Sequence, residues 1–295
     1  MAGKNINYFL MDGTPNGRIK CTISNWTGVV YRIPRTELDK CKERDDLKQS
    51  GVYFLFGNDE DTSENVVYVG QAGTRKNGEG ILFRLQEHKR NTEKDYWTEA
   101  IVFTTSNNSF GPTEISWLEN RFCQLASHAK RYIIKNNNDP SIGNVTEEKE
   151  SELEEFVDYA MIVMGVLGHK IFEPLTSYIA TIDAAETLVF EICKDDKKDP
   201  IFAKGIRTPE GFVLLKNSKI KTSLAPSLRN AIKDLRVKHS SKISDNGILL
   251  QDILLRSPNE AAVFTVGYPI NALVTWKTAD GKTLKDVERT ETSVS

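Results

Sequence analysis

The sequence predicts an α+β protein of two domains joined by a helical element, and three observations carry that reading. The stretch from Gly51 to Thr104 places short apolar runs around a helical pattern in the order strand, strand, helix, strand. A chain of 295 residues with 39% hydrophobic content exceeds what one small core needs. Charge, nearly balanced overall at a formal −2, is segregated: residues 145–196 hold 13 acids and 3 bases, whereas residues 204–289 hold 15 bases and 8 acids. The basic end is the better host for a polyanion.

Taken in order, Asn7–Leu10 and Val29–Ile33 read as strands separated by the turn-rich segment Asp12-Gly13-Thr14-Pro15-Asn16-Gly17. Its Asp-Gly-Thr is not a phosphatase motif of the haloacid dehalogenase type, because the nucleophilic aspartate would stand at position 10, which is Leu10. Next come Gly51–Phe56 and Val66–Gly70, each an apolar strand with one tyrosine, Tyr53 and Tyr68. A phenol in a buried strand must find a polar partner or open onto a site. The glycines of Ala72–Gly80 lack the closing Gly-Lys-Ser/Thr of a phosphate loop.

Residues 81–90 then carry Leu82, Leu85 and His88 at helical offsets, and Ile101–Thr104 resumes a strand. Arg84 and His88 lie four residues apart and project from one side of their helix, where they can hold a phosphate; a solvated basic face with Lys89, Arg90 and Lys94 is the plainer account of the spacing alone. A second helix starts near Thr113, after Pro112, with apolar Ile115, Leu118, Phe122 and Leu125. At about 100° per residue, Glu119 falls within the arc of Ile115, Phe122 and Ala126, away from the side carrying Trp117. A carboxylate at the margin of a buried face needs a cation, a donor or a metal; the alternative is a surface salt bridge.

The acid-rich run Glu147–Glu155 leads into an apolar segment ending near Leu167, which reads as one long helix bridging the two domains. Its acids suit a helix N-terminus, and its apolar part is too short to span a membrane. Beyond Ile201, helices are predicted at Ser223–Lys238 and from Ser257, where Ser257 caps, Pro258 takes the first position and Glu260 completes a capping box. Trp276–Lys282 reads as strand, Asp-Gly turn, strand, with Trp276 in the core. Arg229, Lys233 and Arg236 recur on successive turns and suit either DNA phosphates or a soluble surface. Cys21, Cys41, Cys123 and Cys193 show no CxxC pair and no zinc-ligand spacing, which favours reduced thiols in a cytoplasmic protein. No secretion signal is visible at Met1–Asn5, so the sequon at Asn144 is a chance match.

Together, Gly51-Val52-Tyr53, Tyr68-Val69-Gly70, Arg84, His88 and the Glu119 of Trp117-Leu118-Glu119-Asn120 resemble the motifs of the GIY-YIG nucleases, in order and spacing from about Gly51 to Ser141. Val replaces Ile in both signatures, the connection Asn58–Glu64 is long and acidic, and Gln71 stands where some repair nucleases of this family carry Lys. The resemblance implies a small antiparallel sheet with flanking helices, and hydrolysis of DNA phosphodiesters with one Mg²⁺ or Mn²⁺ ion. It makes Glu119 the metal ligand, Arg84 the phosphate-binding cation, and Tyr53, helped by the metal, Arg84 or His88, the group that orients or deprotonates water. Tyr68 would position phosphate or water, or the two tyrosines exchange roles. Gly70, Gln71 and an asparagine, Asn136 or Asn138, would line the substrate side.

The C-terminal part resembles a small domain of unknown function that often follows GIY-YIG units in bacterial proteins, through Gly211–Leu214, Ser257–Ala262 and Asn271–Lys277. The expected organisation is a β-rich extension at 1–48, a catalytic domain at 49–144, an acidic helical connector at 145–198, an α+β domain at 199–290 and a tail at 291–295. The expected function is a metal-dependent DNA endonuclease acting on duplex or branched DNA, away from membranes. The alternative is a non-catalytic nucleic-acid-binding or regulatory protein on the same scaffold. No cofactor motif supports a small-molecule enzyme.

Overall fold

The computed structural model describes residues 3–59, 64–74, 80–136, 140, 142–176, 188–195 and 199–294. The chain divides into two compact α+β units, residues 1–174 and 175–295. Among the described residues, no helix is long and apolar enough to cross a membrane. Cys21, Cys41 and Cys123 are buried, while Cys193 is exposed.

The first unit is built on one seven-stranded sheet. Its strands are β1 (Ile6–Leu10), β2 (Ile19–Ile23), β3 (Gly28–Pro34), β4 (Gly51–Asn58), β5 (Asn65–Ala72), β6 (Trp97–Thr105) and β7 (Ile133–Ile134), in the order β1-β2-β3-β6-β4-β5-β7. All neighbours are antiparallel except β5 and β7. The sheet is therefore larger than expected, and residues 1–48 are not a separate extension: β3 pairs with β6 from Gly28↔Thr105 to Pro34↔Glu99. The strand β2 went unforeseen beside the turn signals at 12–17, although Ile19, Cys21 and Ile23 point inward with the alternation of a half-buried strand.

β4 runs through the middle and is covered on both faces, which explains its unbroken apolar run. On one face Val52, Phe54 and Phe56 pack with Val67, Val69, Ile101 and Phe103 under α2 (Pro112–Ala129) and α3 (Glu147–Val166). The Phe54 ring lies 5.3 Å from that of Phe122 and 5.8 Å from that of Phe103, both edge-on. On the other face Tyr53 and Leu55 pack with Tyr31, Ala100 and Val102 under α1 (Ile81–Arg90) and two 3-10 segments, Arg35–Cys41 and Asp45–Lys48.

The acidic helix is not a connector. α3 buries Leu153, Phe156, Val157, Ala160, Val163 and Met164 in the first core and joins α2 through an Arg121–Glu154 ion pair at 2.8 Å. Its acids occupy the remaining solvated face, so a strongly charged composition concealed an amphipathic core helix. The same packing corrects the reading of α2: Trp117, expected on the outer side, is buried. The chain closes over it at Gly143, where a methyl group would lie 2.2 Å from Thr113 O and 2.9 Å from Trp117 N.

In the second unit, β8 (Val189–Lys194), β9 (Ile201–Thr208), β10 (Gly211–Leu214) and β11 (Ile253–Leu255) form an antiparallel sheet ordered β11-β10-β9-β8. It is joined by α4 (Asn230–Lys238), α5 (Pro258–Val266), α6 (Ala272–Thr275) and α7 (Leu284–Val294). The helix predicted from Ser223 starts only at Asn230, because Pro226 intervenes and Ala225 N–H is held by Gly267 O at 2.8 Å. Ser257 caps α5 as expected, its Oγ accepting from Glu260 N–H at 3.1 Å. The capping box does not close, however: the Glu260 carboxylate turns to Arg256, accepting from its backbone N–H at 2.8 Å and from its guanidinium.

Trp276 is a core residue, fully buried with Nε1 donating to Pro258 O at 2.9 Å. The Asp280-Gly281 turn forms, with Gly281 at φ +84, but flanked by isolated bridges at Lys277 rather than by two strands. The basic row on α4 is broken as a phosphate surface, since the half-buried Arg236 guanidinium donates to Lys221 O and Phe264 O, serving carbonyls at the end of α5. Arg236→Ala is accordingly expected to destabilise the second unit by about 1–3 kcal/mol, the cost of orphaning buried acceptors, measured by urea unfolding. Lys233→Ala should leave that transition in place.

Candidate active site

Tyr53 stands at the centre of β4, opposite Gly70 of β5 and Val102 of β6. With both faces of its strand covered, its side chain is 0% exposed, and its hydroxyl lies 2.7 Å from His88 Nε2. Gly70 makes room for this arrangement: a methyl group there would lie 2.5 Å from both Cζ and the hydroxyl oxygen of Tyr53 and 2.8 Å from Tyr68 Cε1. The need for glycine is one of close approach rather than of a turn. Ile81, Leu82 and Leu85 dock α1 on this face, which aims His88, one turn after Arg84, at the phenol. Tyr68 completes a ring cluster, its centroid 6.3 Å from Tyr53 and 5.2 Å from His88.

The Arg84 guanidinium interacts with both phenol hydroxyls and is salt-bridged to Glu87 at 2.7 Å, which holds it firmly protonated. Burial pushes the Tyr53 phenol well above its ordinary value and raises Tyr68 as well. Burial, aided by the Lys94 and Arg84 cations, lowers His88 to about 3. At neutral pH the cluster therefore presents a neutral imidazole against two protonated phenols.

Glu119 reaches this cluster from α2. It is half-buried, and burial raises its carboxyl pKa while a hydrogen bond from Gln71 and the Arg84 charge oppose the rise. Among the described residues the groups that act on it are thus Gln71 and Arg84. The carboxylate also acts electrostatically on Tyr53 and Tyr68. Gln71 of β5 faces α2 whereas Tyr68 and Gly70 face α1, so the strand itself brings the two helices' functional groups together.

A divalent cation fits this donor set in one respect: a half-buried carboxylate retains a desolvation cost that a cation would relieve. Among the described residues no cluster of three His, Cys, Asp or Glu side chains forms a cage. Mg²⁺ does not need one, since it commonly keeps several waters and takes one or two carboxylates.

Two expectations change. Tyr53 is sealed from solvent, so water reaches Tyr68, which is partly exposed, and not Tyr53. Asn136 is committed to structure: its Oδ1 accepts from Val69 N–H at 3.0 Å and its Nδ2 donates to Val69 O at 2.8 Å. Its amide extends the short β7 ladder along β5, holding the strand between Tyr68 and Gly70. Asn138 lies outside the described residues, as do 75–79 of the glycine-containing loop and 60–63 of the acidic loop. One neighbour was passed over in the sequence: Lys94, from the 3-10 turn Thr92–Lys94, places Nζ 3.4 Å from the Tyr68 ring centroid. Its only signal was membership of a basic stretch.

Two measurements check this geometry. Gly70→Ala should displace the Tyr53 ring, break its bond to His88 and lower stability by about 1–3 kcal/mol through overpacking, read by urea unfolding. The His88 imidazole resonances should not titrate between pH 8 and 5; a midpoint near the ordinary histidine value of about 6.5 would contradict the burial. Because the folded value is depressed, the unfolded chain takes up the extra proton between about pH 6.5 and 3, and this contribution to stability is lost as pH falls through that window.

Residues 193–288 match the family described as a domain of unknown function (DUF4357), a stretch that runs from β8 to α7. No curated protein and no solved structure matches the chain.

Proposed function

We propose that the first unit is a divalent-metal-dependent endonuclease of GIY-YIG type that hydrolyses DNA phosphodiester bonds, with the basic second unit aiding DNA engagement. The observation that carries this reading is the convergence of Tyr53, Tyr68, Arg84, His88 and Glu119, from β4, β5, α1 and α2, on a single cluster. A protein that merely binds DNA has no chemical need for a carboxylate partly withdrawn from water beside these groups.

Each residue has a role that its surroundings suit. Arg84, fixed by Glu87, places positive charge against the phosphate as negative charge develops there. Tyr68, the phenol that solvent reaches, orients the attacking water. Tyr53 lies behind it and in contact with His88, so the water proton can pass along the phenols to His88 Nε2. That imidazole is a weak base in the free protein, partly because two cations face it; an arriving phosphate offsets both cations and makes it a better acceptor. Glu119 would hold Mg²⁺ or Mn²⁺, which supplies charge stabilisation at the phosphate and the departing 3′ oxygen.

Incubation of supercoiled plasmid with the full chain and Mg²⁺ or Mn²⁺ tests the proposal. Wild-type protein should nick or linearise the plasmid, and Glu119→Ala and Arg84→Ala should each lower the rate by roughly 10²-fold or more. Inactive wild-type protein that still retards DNA would support the non-catalytic binder instead.

A further inference from the structure

We propose that Lys94 binds a backbone phosphate of the nucleic acid beside Tyr68, forming a second phosphate subsite next to the one at Arg84. This inference rests on the nucleic-acid reading of the cluster and adds to it a contact from an element that the motif residues do not include.

Two observations carry it. The Lys94 ammonium sits on the face of Tyr68, 3.4 Å from the ring centroid, and is partly withdrawn from solvent. Among the described residues no carboxylate pairs with it; the charge it feels is the like charge of Arg84. Two neighbouring cations, of which only Arg84 has a carboxylate partner, form an arrangement that an anion completes. An ammonium without a counter-ion lacks an anion, and the phosphate monoanion of a nucleic-acid backbone supplies it. Stacking on Tyr68 keeps the ammonium in place before the phosphate arrives.

Burial and Arg84 lower Lys94 to about 8, so it titrates in an accessible range. The other groups around it do not change charge between pH 7 and 9.5. On α1, Arg84 stays protonated in its salt bridge to Glu87, and His88 stays neutral. The phenols of Tyr53, Tyr68 and Tyr96 are all raised by burial and stay protonated. The adjacent Asp95 is paired with Arg35.

The test is the affinity of the full chain for a fluorescein-labelled duplex and a branched DNA, measured by anisotropy without divalent ions, as a function of salt and pH. Lys94→Gln should weaken binding and reduce the slope of log affinity against log salt by about one, the signature of one lost phosphate contact. Wild-type affinity should fall about tenfold from pH 7 to 9.5 as Lys94 loses its proton. Lys94→Arg should bind as tightly as wild type at pH 7 and lose that pH dependence. A Lys94→Gln variant, shown to be folded by circular dichroism, with wild-type salt slope and pH profile overturns the inference. So does a wild-type protein that binds neither DNA. Lys94-dependent binding without plasmid cleavage would sink the endonuclease reading and leave this one standing; cleavage with unaltered Lys94→Gln binding would do the reverse.

Discussion

A phenol hydroxyl enclosed in the middle of a sheet is the constraint on which the first unit turns. Tyr53 has strands on both sides and packed layers above and below, so its oxygen cannot be left to solvent. His88 answers that need, and the answer fixes much else. It sets the rotation of α1 about its axis, which places Arg84 over the two phenols. It requires residue 70 to have no side chain, so that the ring can lie across β5. With β5 held at that height, Gln71 projects to the opposite face and meets Glu119 on α2. The functional groups are therefore consequences of a packing problem as much as of a chemical one.

The elements that carry the cluster were legible because each is a local pattern. Two short apolar strands with a tyrosine apiece, a helix with Leu82, Leu85 and His88 in register, and a second helix after Pro112 all follow from periodicity and punctuation. The position of Glu119 at the edge of a buried arc was also readable. What the chain did not reveal is how elements share partners. The sheet grows to seven strands because β3 pairs with β6 across more than sixty residues of sequence, and no local signal encodes such a pairing. α3 misled through composition: its acids are conspicuous, whereas the stripe that buries Leu153, Phe156, Ala160 and Val163 is visible only once a groove exists to receive it.

Side-chain commitments were the least legible level. Glu260 had the right spacing for a capping box and went to Arg256 instead; Arg236 had the right spacing for a phosphate row and went to the carbonyls of α5. Lys94 failed in the opposite direction, looking like one more solvated base while lying against Tyr68. In each case the deciding neighbour comes from another element, and an isolated helix or turn pattern has no means of naming it. Segment charge counts share this weakness, because they treat a guanidinium spent on backbone carbonyls as if it were exposed.

The amide of Asn136 has a consequence beyond its local hydrogen bonds. By presenting one acceptor and one donor at the spacing of a peptide group, it occupies the outward-facing polar atoms of Val69 that an additional strand would need. A single side chain thus plugs the rim of the sheet beside the Tyr53–Tyr68–His88 cluster, where an open ladder would invite edge-to-edge pairing and aggregation between molecules. Among the described residues that rim is capped there by a side chain rather than by a further strand.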